Sequence, residues 1–177
     1  MIRLFFVGDG PRDAATLPAV VRGILEKDVL PEFQQWKELR LGGKGNDRKL
    51  KYAVRHAMHA NLEGVVAVVD RDRDRERLQT LAAARAEDRQ TGVSFPTAIG
   101  CAAPHVEKWL VSDRTALQGC FPKGSSAEFA ALQASRKPKD DLNTMFRDHG
   151  IQYMDGLALC SRTSSKSPDA REGRTAA

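Results

Sequence analysis

The chain has no apolar stretch approaching the ~20 residues that cross a bilayer, which excludes a transmembrane helix. Its opening run, Ile2 to Val7, is too short for the apolar core of a signal peptide and leads straight into glycines and charges, so a cytoplasmic location is expected. Neither Gly-x-Gly-x-x-Gly nor Gly-Lys-Ser/Thr occurs, which removes the dinucleotide and P-loop readings. The three cysteines, Cys101, Cys120 and Cys160, are odd in number and widely spaced. That spacing fits neither a disulfide framework nor a zinc site, and reduced cysteines with packing roles are expected. No internal repeat is visible.

What remains is globular. Over 177 residues, 41% are hydrophobic and 29% charged, enough for one ordinary domain with a real core. Ile2 to Val7 reads as a strand, followed by the turn Gly8-Asp9-Gly10-Pro11. Asp13 reads as a helix cap before Leu17, Val20, Val21, Ile24 and Leu25 at helical spacing. Phe33 to Leu41 is a weaker strand candidate, and Asn46 or Asp47 opens a helix presenting Leu50, Val54, Ala57 and Met58. Val65 to Val69 is a third strand, Glu76 to Arg89 a polar helix, and Val93 to Cys101 a fourth strand. Pro104 suits the first turn of a helix carrying Val106, Trp109 and Leu110. This alternation predicts an α/β fold with a parallel sheet of about four strands flanked by helices. A short helical extension follows, from Glu128 to Ala134 and Asp140 to Arg147. The domain is expected over 1–150, with a poorly ordered tail over 151–177.

The most informative stretch is Val65 to Asp74, Val-Val-Ala-Val-Val-Asp-Arg-Asp-Arg-Asp. An apolar strand ends in carboxylates at alternate positions, and strand ends are where open α/β sheets build sites. On extended backbone, Asp70 and Asp72 point the same way. Two hard oxygen ligands on one side suit Mg²⁺ or Mn²⁺. The plainer reading is a solvated loop opening the next helix.

Other carboxylates stand at equivalent places. Asp9 follows the first strand and converges on Asp70 and Asp72 if strands 1 and 3 are neighbours; otherwise it only makes the turn. Glu107 follows the fourth strand, where it can ligate a metal or act as a base; a first-turn carboxylate is equally favoured by the helix dipole alone. His56 and His59 lie three apart without a third ligand, and Trp109 is expected in the core.

Net charge is +5, and Lys37 to Arg55 holds seven basic residues against Glu38 and Asp47, an excess equal to that of the whole chain. Lys44, Arg48, Lys49, Lys51 and Arg55 are the candidates for seating a DNA or RNA backbone beside a carboxylate site. An ordinary solvated helix face carries such charge too.

These residues resemble the TOPRIM domain. Val7-Gly8-Asp9-Gly10 matches its first motif, and the Asp-x-Asp after strand 3 its second. More narrowly, the chain is similar to small bacterial TOPRIM-like proteins related to the nuclease domain of overcoming-lysogenisation-defect nucleases. Asp-Arg-Asp after strand 3 and a Glu-x-Trp-Leu-x-x-Asp segment, here Glu107, Trp109, Leu110 and Asp113, carry that likeness. Gly42-Gly43-Lys44-Gly45 and Lys137-Pro138-Lys139 add to it, and the resemblance covers roughly residues 2 to 147. It implies Mg²⁺-dependent cleavage or transfer at phosphodiesters, in phage defence or a mobile element, with an ATPase partner. Asp70, Asp72, Asp9 and Glu107 would form the metal cluster, with Asp9 and Glu107 catalytic. One departure stands out. The family carries glutamate directly after strand 1, where this chain has Gly8. The chain is also short after Arg147 for this family, as a truncated member would be. The rival expectation is a catalytically weak regulatory subunit that docks on an ATPase.

Overall fold

The apolar run that opens the chain becomes the centre of a sheet. The structure, a computed structural model, describes residues 1–40, 45–71, 76–103 and 105–164. Four strands, β1 (Ile2–Gly8), β2 (Val29–Gln35), β3 (Gly64–Asp70) and β4 (Thr97–Ala102), lie in the order β2-β1-β3-β4. All pairings are parallel: Ile2 faces Val29, Leu4 faces Gly64, and Val65 faces Thr97. Helices α1 (Pro11–Leu25), α2 (Asn46–His59) and α3 (Arg77–Gln90) make the crossovers. The α/β class and the parallel sheet are therefore as the alternation predicts. Unbroken apolar runs such as Phe5-Phe6-Val7 and Val65-Val66-Ala67-Val68-Val69 are what a strand covered on both faces requires.

The chain divides into two compact units where one domain was expected. The first comprises Met1–Ala14 and Asp28–Pro104, the second Ala15–Lys27 and His105–Ala177. In the first, Phe5, Val7, Val65, Ala67 and Val69 point to one face of the sheet. They pack on Leu50, Ala53, Val54 and Ala57 of α2 and on Leu81 and Ala84 of α3. Full burial of each large apolar side chain contributes about 1.5–3 kcal/mol. Arg85 and Asp88 of α3 form a buried ion pair at 3.3 Å, and Arg85 also donates to the Phe95 carbonyl at 2.8 Å. This pair ties α3 to the segment that enters β4.

The second strand differs from expectation. It runs Val29–Gln35, not Phe33 to Leu41. Pro31 lies inside it, opposite Leu4. An edge strand tolerates proline because its outward N–H needs no ladder partner. β4 likewise starts only at Thr97, after Pro96.

The second unit is helical. After α4 (Val106–Ser112) come α5 (Arg114–Cys120), α6 (Ser126–Ala134), α7 (Pro138–Asp148) and α8 (Tyr153–Ser164). Asp113 caps α5, and Ser125 with Glu128 forms a capping box on α6. Leu110, Leu117, Phe121, Phe129, Leu142 and Phe146 fill the core. The segment expected as a tail instead carries α8, whose Leu157 and Cys160 are fully buried. Its apolar stripe is narrow because a glycine stands in it. Gly156 is buried, and a Cβ there would overlap the ring of Phe146. The cysteine expectation is also corrected. Cys120 and Cys160 are paired as a disulfide with Cα atoms 5.6 Å apart, and Cys101 is unpaired. Trp109 is half-buried, not a core residue. Among the described residues no helix is long and apolar enough to cross a membrane.

One side chain pins the first unit together. The Trp36 indole Nε1 donates to the Val68 carbonyl at 2.7 Å, and the Trp36 backbone N–H donates to the Gly8 carbonyl at 2.9 Å. Trp36→Phe removes the indole donor from a buried carbonyl. It should lower unfolding stability by about 1–3 kcal/mol, read as a fall in urea midpoint at constant slope. An unchanged midpoint would show that the indole bond holds nothing.

Candidate functional site

Because the strands are parallel, β1 and β3 end at the same edge of the sheet. Asp9 follows β1 and is exposed; Asp70 ends β3 and is half-buried. The Asp70 backbone N–H donates to Asp9 Oδ2 at 2.7 Å. The two residues expected to converge are thus joined directly. Arg77 Nη1, from the first turn of α3, donates to the Asp70 carbonyl at 2.9 Å, and the Arg71 N–H donates to the Ala102 carbonyl at 2.7 Å. The edge therefore carries both signs of charge, with the guanidinium of Arg77 beside the carboxylate-bearing strand ends.

A third carboxylate, Asp13, belongs to this edge. The sequence marks it as a helix cap, but α1 already begins at Pro11, so Asp13 sits within the first turn. From there its Oδ2 reaches back and accepts from the backbone N–H groups of Asp9 at 2.6 Å and Gly10 at 3.1 Å. It is 5% exposed. Burial pushes its carboxyl up to about 6, the N–H of Gly10 counters this, and the nearby Asp70 charge adds to the rise. Asp13 also accounts for Gly8. A Cβ on Gly8 would stand 2.5 Å from Asp13 Cβ and 2.6 Å from its Oδ2. The space a side chain at position 8 would need is already occupied by the carboxylate of Asp13. The role of Asp13 beyond capping was hidden in the sequence. Its only trace was a glycine at a strand end five residues before an aspartate.

The remaining expected ligands are placed less fully. Asp72 lies outside the described residues, as does Lys44. Glu107 is fully buried in the second unit, in the first turn of α4. Its Oε1 accepts from the Tyr153 hydroxyl at 2.7 Å. Nothing in the sequence signalled this partner, 46 residues away on a helix that was not expected. Among the described residues, no group of three or more His, Cys, Asp or Glu side chains is arranged to hold a metal ion.

The basic candidates separate into two kinds. Arg48 and Arg55 are exposed on α2. Lys49 is drawn inward, its Nζ donating to the Trp36 carbonyl at 2.6 Å. Lys51 pairs with Glu87 of α3 at 2.7 Å. His56 pairs with Glu32 of β2 at 2.8 Å, a structural contact that needs no third ligand.

The raised Asp13 pKa makes folding stability depend on pH. Its folded value, about 6, exceeds the ordinary 3.8. Between these values the folded chain keeps a proton that the unfolded chain releases. Stability must then fall as pH rises through that window, by about 3 kcal/mol at most, and stay lower above it. Asp13→Asn keeps an acceptor for both N–H groups and removes the charge. It should lose this pH dependence and gain stability relative to the parent at pH 7, read as unfolding free energies in urea at acid and neutral pH. Parallel pH curves for the two proteins would rule this out.

No protein-family model matches the chain, and neither does any curated protein or any solved structure.

Proposed function

We propose that the first unit is a TOPRIM-like metal-dependent enzyme acting on phosphodiester backbones. The observation that carries this reading is the Asp9–Asp70 link at the carboxyl edge of β1 and β3. Both residues offer hard oxygen donors, the chemistry that Mg²⁺ and Mn²⁺ select. The upward pull of Asp70 and Asp9 on the Asp13 carboxyl is a further sign of crowded negative charge that a cation would relieve. Asp9 and Asp70 would hold the ion, with Asp72 two residues further along the chain. When bound, the ion would polarise a phosphoryl oxygen and lower the pKa of a water. Asp13 fixes the turn that aims Asp9. Arg48 and Arg55 would seat the phosphates. Glu107 would take no part in holding the ion.

A second reading keeps the fold and loses the chemistry: a docking subunit of an ATPase partner. Gly8 favours it, since no side chain fits at the position where the resembled family carries glutamate. Divalent ions separate the two. For the enzyme, Mn²⁺ at ten times its Kd should stabilise the fold by about 1.4 kcal/mol, a Tm rise of roughly 3–6 °C. Asp70→Asn should abolish the rise, together with any Mn²⁺-dependent nicking of plasmid DNA. A parent protein whose Tm ignores Mn²⁺ would leave the docking subunit ahead.

A further inference from the structure

The chain has eleven aromatic residues, seven Phe, two Trp and two Tyr, and every one falls within the described residues. None is exposed: six are buried and five half-buried. The one aromatic on α2, Tyr52, is stacked with the His56 ring and packs against the core. Proteins that hold single-stranded nucleic acid do so by stacking successive bases on aromatic faces along a basic groove. No exposed aromatic ring accompanies the cations of α2 to serve as such a platform.

What the chain offers is charge on a rigid element. Arg48 and Arg55 are seven residues apart on α2, two turns, and so lie on one face about 10.5 Å apart along the axis. Neither has an ion-pair partner among the described residues. Exposed Lys37 follows Trp36, whose carbonyl is held by Lys49 in the first turn of α2. That contact holds the backbone just before Lys37 against the first turn of α2. α2 begins on the side where the strands end, so Arg48 is the end of the stripe nearer to Asp9 and Asp70. Fixed cations without stacking partners select the polymer with the denser charge. A duplex carries one phosphate per ~1.7 Å of axis, a single strand about half that density.

We infer that the nucleic acid reaching this edge is a duplex, gripped by its phosphates along Lys37, Arg48 and Arg55 without reading of bases. This rests on the proposed function, since it names the substrate class of that site. The test is fluorescence anisotropy of the whole chain with a mixed-sequence DNA duplex and a thymidine homopolymer of equal length, across a salt series. Duplex binding should be about tenfold tighter or more at low salt. Three phosphate contacts predict a slope of log K against log salt near −2.7, and Arg48→Gln with Arg55→Gln should shrink it by about 1.8. The Arg48→Lys, Arg55→Lys variant should retain the parental slope, because only point charge is needed. Equal or tighter binding of the homopolymer overturns the inference and leaves the proposed function standing. An unchanged slope in the Gln variant overturns the assignment to α2. Failure of both polymers to bind at low salt overturns the inference and the phosphodiester reading together.

Discussion

The carboxyl edge of the sheet depends on Trp36. Its backbone binds the end of β1, its indole binds the Val68 carbonyl near the end of β3, and its carbonyl is bound by Lys49 of α2. Three elements from distant parts of the sequence are thereby fixed around one buried residue, 4% exposed. A buried carbonyl left without a donor is costly, so each of these bonds is kept by the penalty for losing it. The Asp9–Asp70 link is the next bond along the same edge. Its geometry is only as firm as the strand ends that carry it, which is why a tryptophan outside every recognisable motif matters to the site.

Gly8 and Asp13 form the other half of that edge. They divide one job between them: the glycine vacates space, and the aspartate fills it with a carboxylate from the following helix. The arrangement orders the turn through two backbone N–H groups without placing a side chain on the strand end itself. It also leaves Asp13 enclosed while Asp9 faces outward. Two aspartates four residues apart thus have opposite surroundings. A carboxylate that holds a loop and a carboxylate that meets a ligand need different environments.

The alternation of strands and helices was legible because the strand runs are long and unbroken and the turns between them are rich in glycine. The meeting of Asp9 and Asp70 was legible for the same reason: a parallel sheet brings all its strand ends to one edge. β2 was misplaced because Pro31 looks like a breaker, and only knowledge of the strand order makes it an edge residue. α8 was missed because Gly156, Ala158 and Ser161 dilute its apolar stripe, and what closes the helix onto its unit is the fit of Gly156 to Phe146. The partners of Lys49, Lys51 and Glu107 were illegible on principle. Each is a contact between residues far apart in the chain, and charge pattern cannot tell a lysine that meets a ligand from one that meets a carbonyl.

The central position of β1 bears on how the chain reaches its fold. β1 leaves the ribosome before both of its neighbours, β2, whose pairing begins at Val29, and β3, whose pairing begins at Gly64. Each pairing closes a long loop before any ladder bond repays it, and sheets of this kind fold slowly for that reason. Until β3 has emerged, Phe5, Phe6 and Val7 have one ladder edge with nothing beside it. A nascent chain halted before residue 64 would present an adhesive strand edge to its neighbours.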